Sequence, residues 1–151
     1  MKKTFVILCA FLLVSCSSFQ ERVRVAVYSI PLMVIDDTSG TFDFDKSTLA
    51  ESTFIVEEIN RVLIERIKDK KGILKVVGHT DNYGSDEYNV ILSRKRANTI
   101  ANVVKTLLPK DNKIQFLIIP RGESDPVVPN DTAENRRKNR RVELFFDEAD
   151  S

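Results

Sequence analysis

The chain has 151 residues, 42% of them apolar and 30% charged, a balance that supports one buried core and excludes a chain too polar to fold. Its 23 basic and 22 acidic residues give a formal net charge of +1. That near-neutrality excludes a whole-chain field for nucleic acid or anionic membrane and leaves charge recognition to local groups.

Lys2 and Lys3 open the chain, and residues 4–14 are mostly apolar but too short to span a bilayer as a stable helix. This pattern predicts a signal peptide over residues 1–15. Without its two lysines the balance is 21 basic against 22 acidic residues, or −1. The segment ends in Leu13-Val14-Ser15-Cys16, which resembles the bacterial lipobox. That resemblance implies cleavage before Cys16 and a diacylglycerol on its sulfur. Cys9 leaves with the leader, so Cys16 becomes the sole cysteine, an intrachain disulfide is excluded, and an acylated thiol serves as a membrane anchor. Ser17 follows Cys16. By resemblance to enterobacterial lipoproteins, the absence of Asp there implies the outer membrane, with the chain on its periplasmic face.

Residues 17–22 are the expected linker, with a reach of roughly 20 Å at ~3.4 Å per residue. Residues 23–27 alternate and read as a strand. Pro31 interrupts, and residues 32–35 resume an apolar run before the turn cluster Asp36-Asp37-Thr38-Ser39-Gly40. Over residues 50–68 the apolar positions Ile55, Ile59, Val62, Leu63 and Ile67 form a helical stripe. Lys68, Lys70 and Lys71 suit its C-terminal dipole, and Gly72 punctuates it. Residues 73–77 read as a buried strand running into Gly78-His79-Thr80-Asp81. A second helix is predicted over 88–108, with Asp86 and Glu87 at its positive end and Pro109 beyond it. A strand over 114–119 should stop at Pro120, a short polar helix spans 132–138, and residues 142–146 close the chain as a strand. Strands alternating with helices predict an α/β (α+β) two-layer sandwich, its helices packed on one sheet.

The second helix carries the chemistry. Leu92, Ile100, Val103, Val104, Leu107 and Leu108 share one face, and Arg96 projects from the middle of it, with Asn89 and Ser93 on the same side. A guanidinium on an inward stripe requires an anionic partner, because burial without one costs several kcal/mol. Asp81, in the loop feeding the helix, is the nearest candidate. Direct pairing would make a structural salt bridge, which helical geometry alone favours. Held apart, the two would trap a zwitterion, the carboxylate taking an ammonium and the guanidinium a carboxylate.

Gly78-His79-Thr80-Asp81, Tyr88-Asn89, Leu92-Ser93 and Arg96-Ala97 follow the order GHTD…YN..LS..RA. Gly122-Glu123-Ser124-Asp125-Pro126, Asn130, Thr132, Arg136 and Asn139-Arg140-Arg141-Val142-Glu143 extend the pattern, and Phe42-Asp43-Phe44-Asp45-Lys46 precedes it. Together these resemble the OmpA-like domain over roughly residues 22–147, with several elements in order. The resemblance implies a βαβαβ-type domain with helices on one mixed sheet. It also implies that the chain binds the diaminopimelate of peptidoglycan stem peptides. Asp81 would hold the ammonium and Arg96 the carboxylate, with Asn89, Arg140, Thr80, Leu92 and Asp45 lining the cleft. Pro120, Arg121, Asn135 and Tyr83 depart from the family pattern at the cleft rim.

His79 is the only histidine, and one imidazole without further ligands reads as structural rather than metal-binding. No nucleophile motif is present, so neither an enzyme, a metal nor a cofactor is expected. The basic run 136–141 lacks interleaved aromatics and reads as partly solvated, with Arg140 turned to the cleft rather than toward nucleic acid. The expected layout is therefore a signal peptide over 1–15, acylated Cys16 and linker to residue 22, a domain over 23–147 and a tail over 148–151. The expected role is a non-catalytic tether to peptidoglycan. The alternative keeps the fold but makes an adaptor for another envelope protein, as in Tol-Pal-like or secretion assemblies.

Overall fold

The computed structural model describes residues 30–38 and 53–149. The expected leader, Cys16, the strand over 23–27 and Asp45 lie outside the described residues. Among the described residues, four strands form one mixed sheet: β1 (Met33–Asp36), β2 (Lys71–His79), β3 (Lys113–Gly122) and β4 (Arg141–Glu148). Their spatial order is β1-β4-β2-β3. β4 runs antiparallel to both β1 and β2, whereas β2 and β3 are parallel. The parallel pair requires a crossover, which the helix α2 (Asp86–Leu107) supplies.

The helix before β2, α1, is composite. It starts as Thr53–Glu58, widens into π turns over Ile59–Ile64 and ends as Glu65–Ile67. Ile55, Ile59, Leu63, Ile64 and Ile67 are its buried residues. They meet Leu74 and Val76 of β2, Val142 and Leu144 of β4, and Ala97, Ile100 and Val104 of α2 in one core. The opposite sheet face carries exposed Val34, Ile73 and Leu117. Period-2 alternation in the strands thus assigns one face to the helices. Among the described residues, no helix is long and apolar enough to cross a membrane.

Two departures from the sequence pattern have local causes. Proline does not stop β3, because Pro120 remains in register with Gly78 and the strand continues to Gly122. β3 is the sheet edge, where a missing N–H on the open side removes no ladder bond. α2 begins two residues before the start at residue 88 that the sequence pattern predicts, because the Ser85 hydroxyl accepts the Tyr88 backbone N–H at 3.3 Å and takes Asp86 and Glu87 into the first turn.

The approach of α2 to β2 depends on Gly78. A Cβ there would lie 2.1 Å from the Ser93 carbonyl oxygen and 3.3 Å from the Ala97 Cβ. Helix and strand therefore touch backbone to backbone beside Arg96. Gly78→Ala is expected to destabilise the fold by roughly 1–3 kcal/mol or more, the cost of forcing atoms into a packed interior. A urea-unfolding midpoint unchanged by this substitution would contradict that contact.

Candidate functional site

The sheet order builds the site. β4 lies between β1 and β2, so the residues leaving β1, entering β4 and leaving β2 meet at one edge. Asp36 pairs with Arg141 across β1 and β4, and continuing that register by one sets Asp37 against Arg140. Gly78 pairs with Val142 across β2 and β4, which brings Thr80 and Asp81 to the other side of Arg140. A guanidinium is thereby flanked by two carboxylates.

Arg140 donates from Nη1 to Asp81 Oδ2 at 2.7 Å and from Nε to Asp37 Oδ2 at 2.7 Å. Its Nη2 also lies 2.7 Å from Asp37 Oδ2. The Asp81 Oδ1 atom accepts the Tyr83 backbone N–H at 3.2 Å, which shapes the loop entering α2. The cluster is buried, with relative exposures of 5% for Asp37, 5% for Asp81, 9% for Arg140 and 1% for Arg96. Burial acts to lower the Arg140 pKa, but its bonds to Asp81 and Asp37 outweigh that and raise it above the ordinary value.

Arg96 stands on the inward face of α2, where the helical stripe places it, and among the described residues is the largest of the fully buried side chains. Desolvation lowers its pKa from the ordinary arginine value. The charges of Asp37 and Asp81 oppose that shift, while Arg140 reinforces it. Asp81 thus acts on Arg96 through space, and its direct partner is Arg140. The direct Asp81–Arg96 pair that helical geometry favoured does not form. β4 supplies a closer cation, which the helical stripe alone could not reveal.

The remaining sequence-predicted residues divide into two groups. Asn89 and Ser93 fasten the loop after β3. The Asn89 amide donates to Glu123 Oε2, Ser93 Oγ accepts the Gly122 N–H at 3.1 Å, and Gly122 O accepts the Thr80 N–H at 2.8 Å. Gly122 has a positive φ of 57°, and a Cβ there would press to 3.2 Å on the Val90 nitrogen. Leu92 is buried beside them. Thr80 Oγ1 and Asn89 Oδ1 are buried and have no hydrogen-bond partner among the described residues. Buried polar atoms normally find partners, so this pair suggests a site suited to a polar ligand.

The basic run separates by direction. Arg136 donates to Asn130 O at 2.9 Å and lies 5.0 Å from the centroid of the exposed Tyr83 ring. Arg137 is exposed, and Lys138 pairs with Glu134 at 3.0 Å. All three belong to the short helix α3 (Ala133–Asn139). Asn139 clamps the preceding loop, accepting from the Val127 and Val128 nitrogens and donating to Val128 O. Arg141 turns the other way, to Glu143 at 2.7 Å and Asp125 O at 3.1 Å. His79 sits buried beside this pair, its Nε2 3.7 Å from Glu143 and 3.5 Å from Arg141 Nη2.

Asp37 is the cluster residue that sequence reasoning missed. It looks like an ordinary turn residue, and only the β1–β4 register identifies it. No local signal marks it.

The chain matches the model of the OmpA family over residues 41–140. It is 38% identical over 102 residues to the outer membrane porin F of Pseudomonas aeruginosa, covering 68% of this chain and 28% of that one. It is 31% identical over 107 residues to the peptidoglycan-associated lipoprotein of Legionella pneumophila, covering 70% of this chain and 58% of the relative. The chain thus spans less than two thirds of either protein. Among solved structures it is similar to the C-terminal domain of Helicobacter pylori MotB, with a TM-score of 0.55, 29% identity, and coverage of 74% of this chain and 84% of that one.

The Glu143 carboxyl is held at about 2, first by the His79 imidazole. Burial works against this, and the Arg141 guanidinium adds to it. The separation from His79 is longer than a hydrogen bond, so its pull is mainly electrostatic, while Arg141 makes the close contact. A depressed carboxyl contributes stability that is fully present above its unfolded value near 4.5 and is lost as pH falls through about 2. Glu143→Gln is therefore expected to lower the urea midpoint at neutral pH and to converge with the unsubstituted protein as pH approaches 2. A constant difference across that window would contradict the assignment.

Proposed function

Because this chain belongs to the OmpA family, we propose that it binds peptidoglycan without catalysis and grips the diaminopimelate head group of the stem peptide. The observation that carries this reading is the placement of two buried, oppositely charged groups, Asp81 and Arg96, at one end of the sheet beside Thr80 Oγ1 and Asn89 Oδ1, which have no hydrogen-bond partner among the described residues. A zwitterionic head group matches that inventory. Its ammonium suits Asp81, its carboxylate suits Arg96 as a planar two-point donor, and Thr80 and Asn89 supply neutral polar contacts. The Legionella relative, named a peptidoglycan-associated lipoprotein, supports the same ligand class.

The free site is occupied by the protein's own cation. Arg140 Nη1 already holds Asp81, so the ligand ammonium replaces a guanidinium rather than entering a vacant cleft. Such an exchange avoids leaving a carboxylate unsolvated at any stage, and the free protein stays stable without ligand.

The lipobox-like residues ending in Cys16 support a lipid-anchored setting for the domain, and the residue after the cysteine favours the outer membrane. In this reading residues 1–15 are removed, acylated Cys16 and the linker to residue 22 attach the domain, and the folded part links that membrane to the wall.

Arg96→Ala is expected to weaken sedimentation with purified walls by ~2–5 kcal/mol, the usual cost of truncating one member of a buried charge pair. Wall binding equal to that of the unsubstituted protein would count against the role of Arg96. Diaminopimelate-type walls should also retain the protein more strongly than lysine-type walls, because lysine lacks the second carboxylate. Equal retention on both would remove the proposed ligand.

A further inference from the structure

We propose that Asp37 sets the ligand selectivity of this site: by holding Arg140 at a second carboxylate, it keeps the cluster electrically balanced, so that the cluster accepts a zwitterionic head group in preference to a plain carboxylate. The inference rests on the reading of Asp81 and Arg96 as the head-group pair and adds a residue that lies outside the motifs named in the sequence.

The geometry separates the two jobs of Arg140. Its contact with Asp81 uses Nη1, whereas Nε and Nη2 both reach Asp37 Oδ2 at 2.7 Å. An ammonium that takes Asp81 displaces one nitrogen and leaves the other two bonded. Arg140 then keeps a counter-ion throughout the exchange, which a single-carboxylate site would not provide. The side-on approach through Nε and Nη2 also fixes the guanidinium plane.

Charge bookkeeping gives the selectivity. Among the described residues the buried cluster holds two carboxylates, Asp37 and Asp81, and two guanidiniums, Arg96 and Arg140. A zwitterion adds no net charge and leaves this balance intact. A plain carboxylate adds one negative charge in a poorly solvated place, which is costly. Removing the Asp37 charge reverses the preference, since the cluster then carries one excess positive charge that a carboxylate neutralises and a zwitterion does not. Asp37 also serves Arg96 directly, as the foremost of the charges that oppose the effect of burial on that guanidinium.

The test is calorimetric titration of the purified protein with meso-diaminopimelate and with pimelate, its dicarboxylate counterpart lacking both ammonium groups. The unsubstituted protein is compared with Asp37→Asn and Asp37→Glu, and thermal melting confirms that each is folded. The unsubstituted protein is expected to prefer diaminopimelate. Asp37→Asn should lose roughly thirtyfold or more in affinity for it while binding pimelate at least as tightly as before, and Asp37→Glu should restore the preference. Should the asparagine variant fail to fold, the smaller Asp37→Ser carries the same expectation. A folded, uncharged variant that keeps the original preference, or that weakens for both ligands equally, would overturn the inference and leave the head-group reading standing. An unsubstituted protein that binds neither ligand would remove both.

Discussion

One guanidinium shared between two buried carboxylates holds the functional end of this domain together. Arg140 joins Asp37 and Asp81 at 2.7 Å each, and with them it joins the ends of three strands. A cation in this position costs several kcal/mol to desolvate, and only the pairing on both sides offsets that. The same pairing places Asp81 within the electrostatic reach of Arg96 without letting the two meet. A site with separated charges of opposite sign can therefore persist in the absence of ligand.

The topology makes this arrangement unavoidable once the sheet forms. β4 is the last of the described strands yet lies between β1 and β2. The segment that enters it, Asn139-Arg140-Arg141, is thus delivered between two strand ends that arrive from far away in the chain. Each residue takes a different direction: Asn139 to the 127–130 loop, Arg140 to the carboxylates, and Arg141 to Glu143 and the Asp125 carbonyl. The backbone contact at Gly78 adds the fourth side, letting α2 lie close enough for Arg96 to reach the same edge. The loop through Gly122 closes the arrangement by bonding both Thr80 and Ser93.

Much of this was legible in the sequence, because the local signals agree with the fold. Short apolar runs located β2 and β4, the helical stripe located α2, and a lone arginine among leucines and valines marked Arg96 as exceptional. The resemblance brought Arg140, Asn89 and Thr80 to attention. What escaped depends on long-range pairing. Whether a proline ends a strand turns on whether that strand is an edge, so Pro120 was misjudged from its neighbours alone. The choice of Arg140 over Arg96 as the direct partner of Asp81, and the presence of Asp37 at all, follow from the registers of β4 with β1 and β2. No window of adjacent residues contains that information. The π turns of α1 likewise have no evident sequence signature.

The central claim is that a head-group ammonium takes the place of the Arg140 Nη1 atom on Asp81 while its carboxylate settles on Arg96. Nuclear magnetic resonance of the arginine side chains, followed as meso-diaminopimelate is added, observes that exchange directly. The Arg96 and Arg140 guanidinium signals should both shift on saturation, with contacts from the ligand to Arg96 and the Arg140–Asp37 bonds retained. Signals from both arginines that stay fixed while the ligand binds would show that recognition happens elsewhere on the molecule.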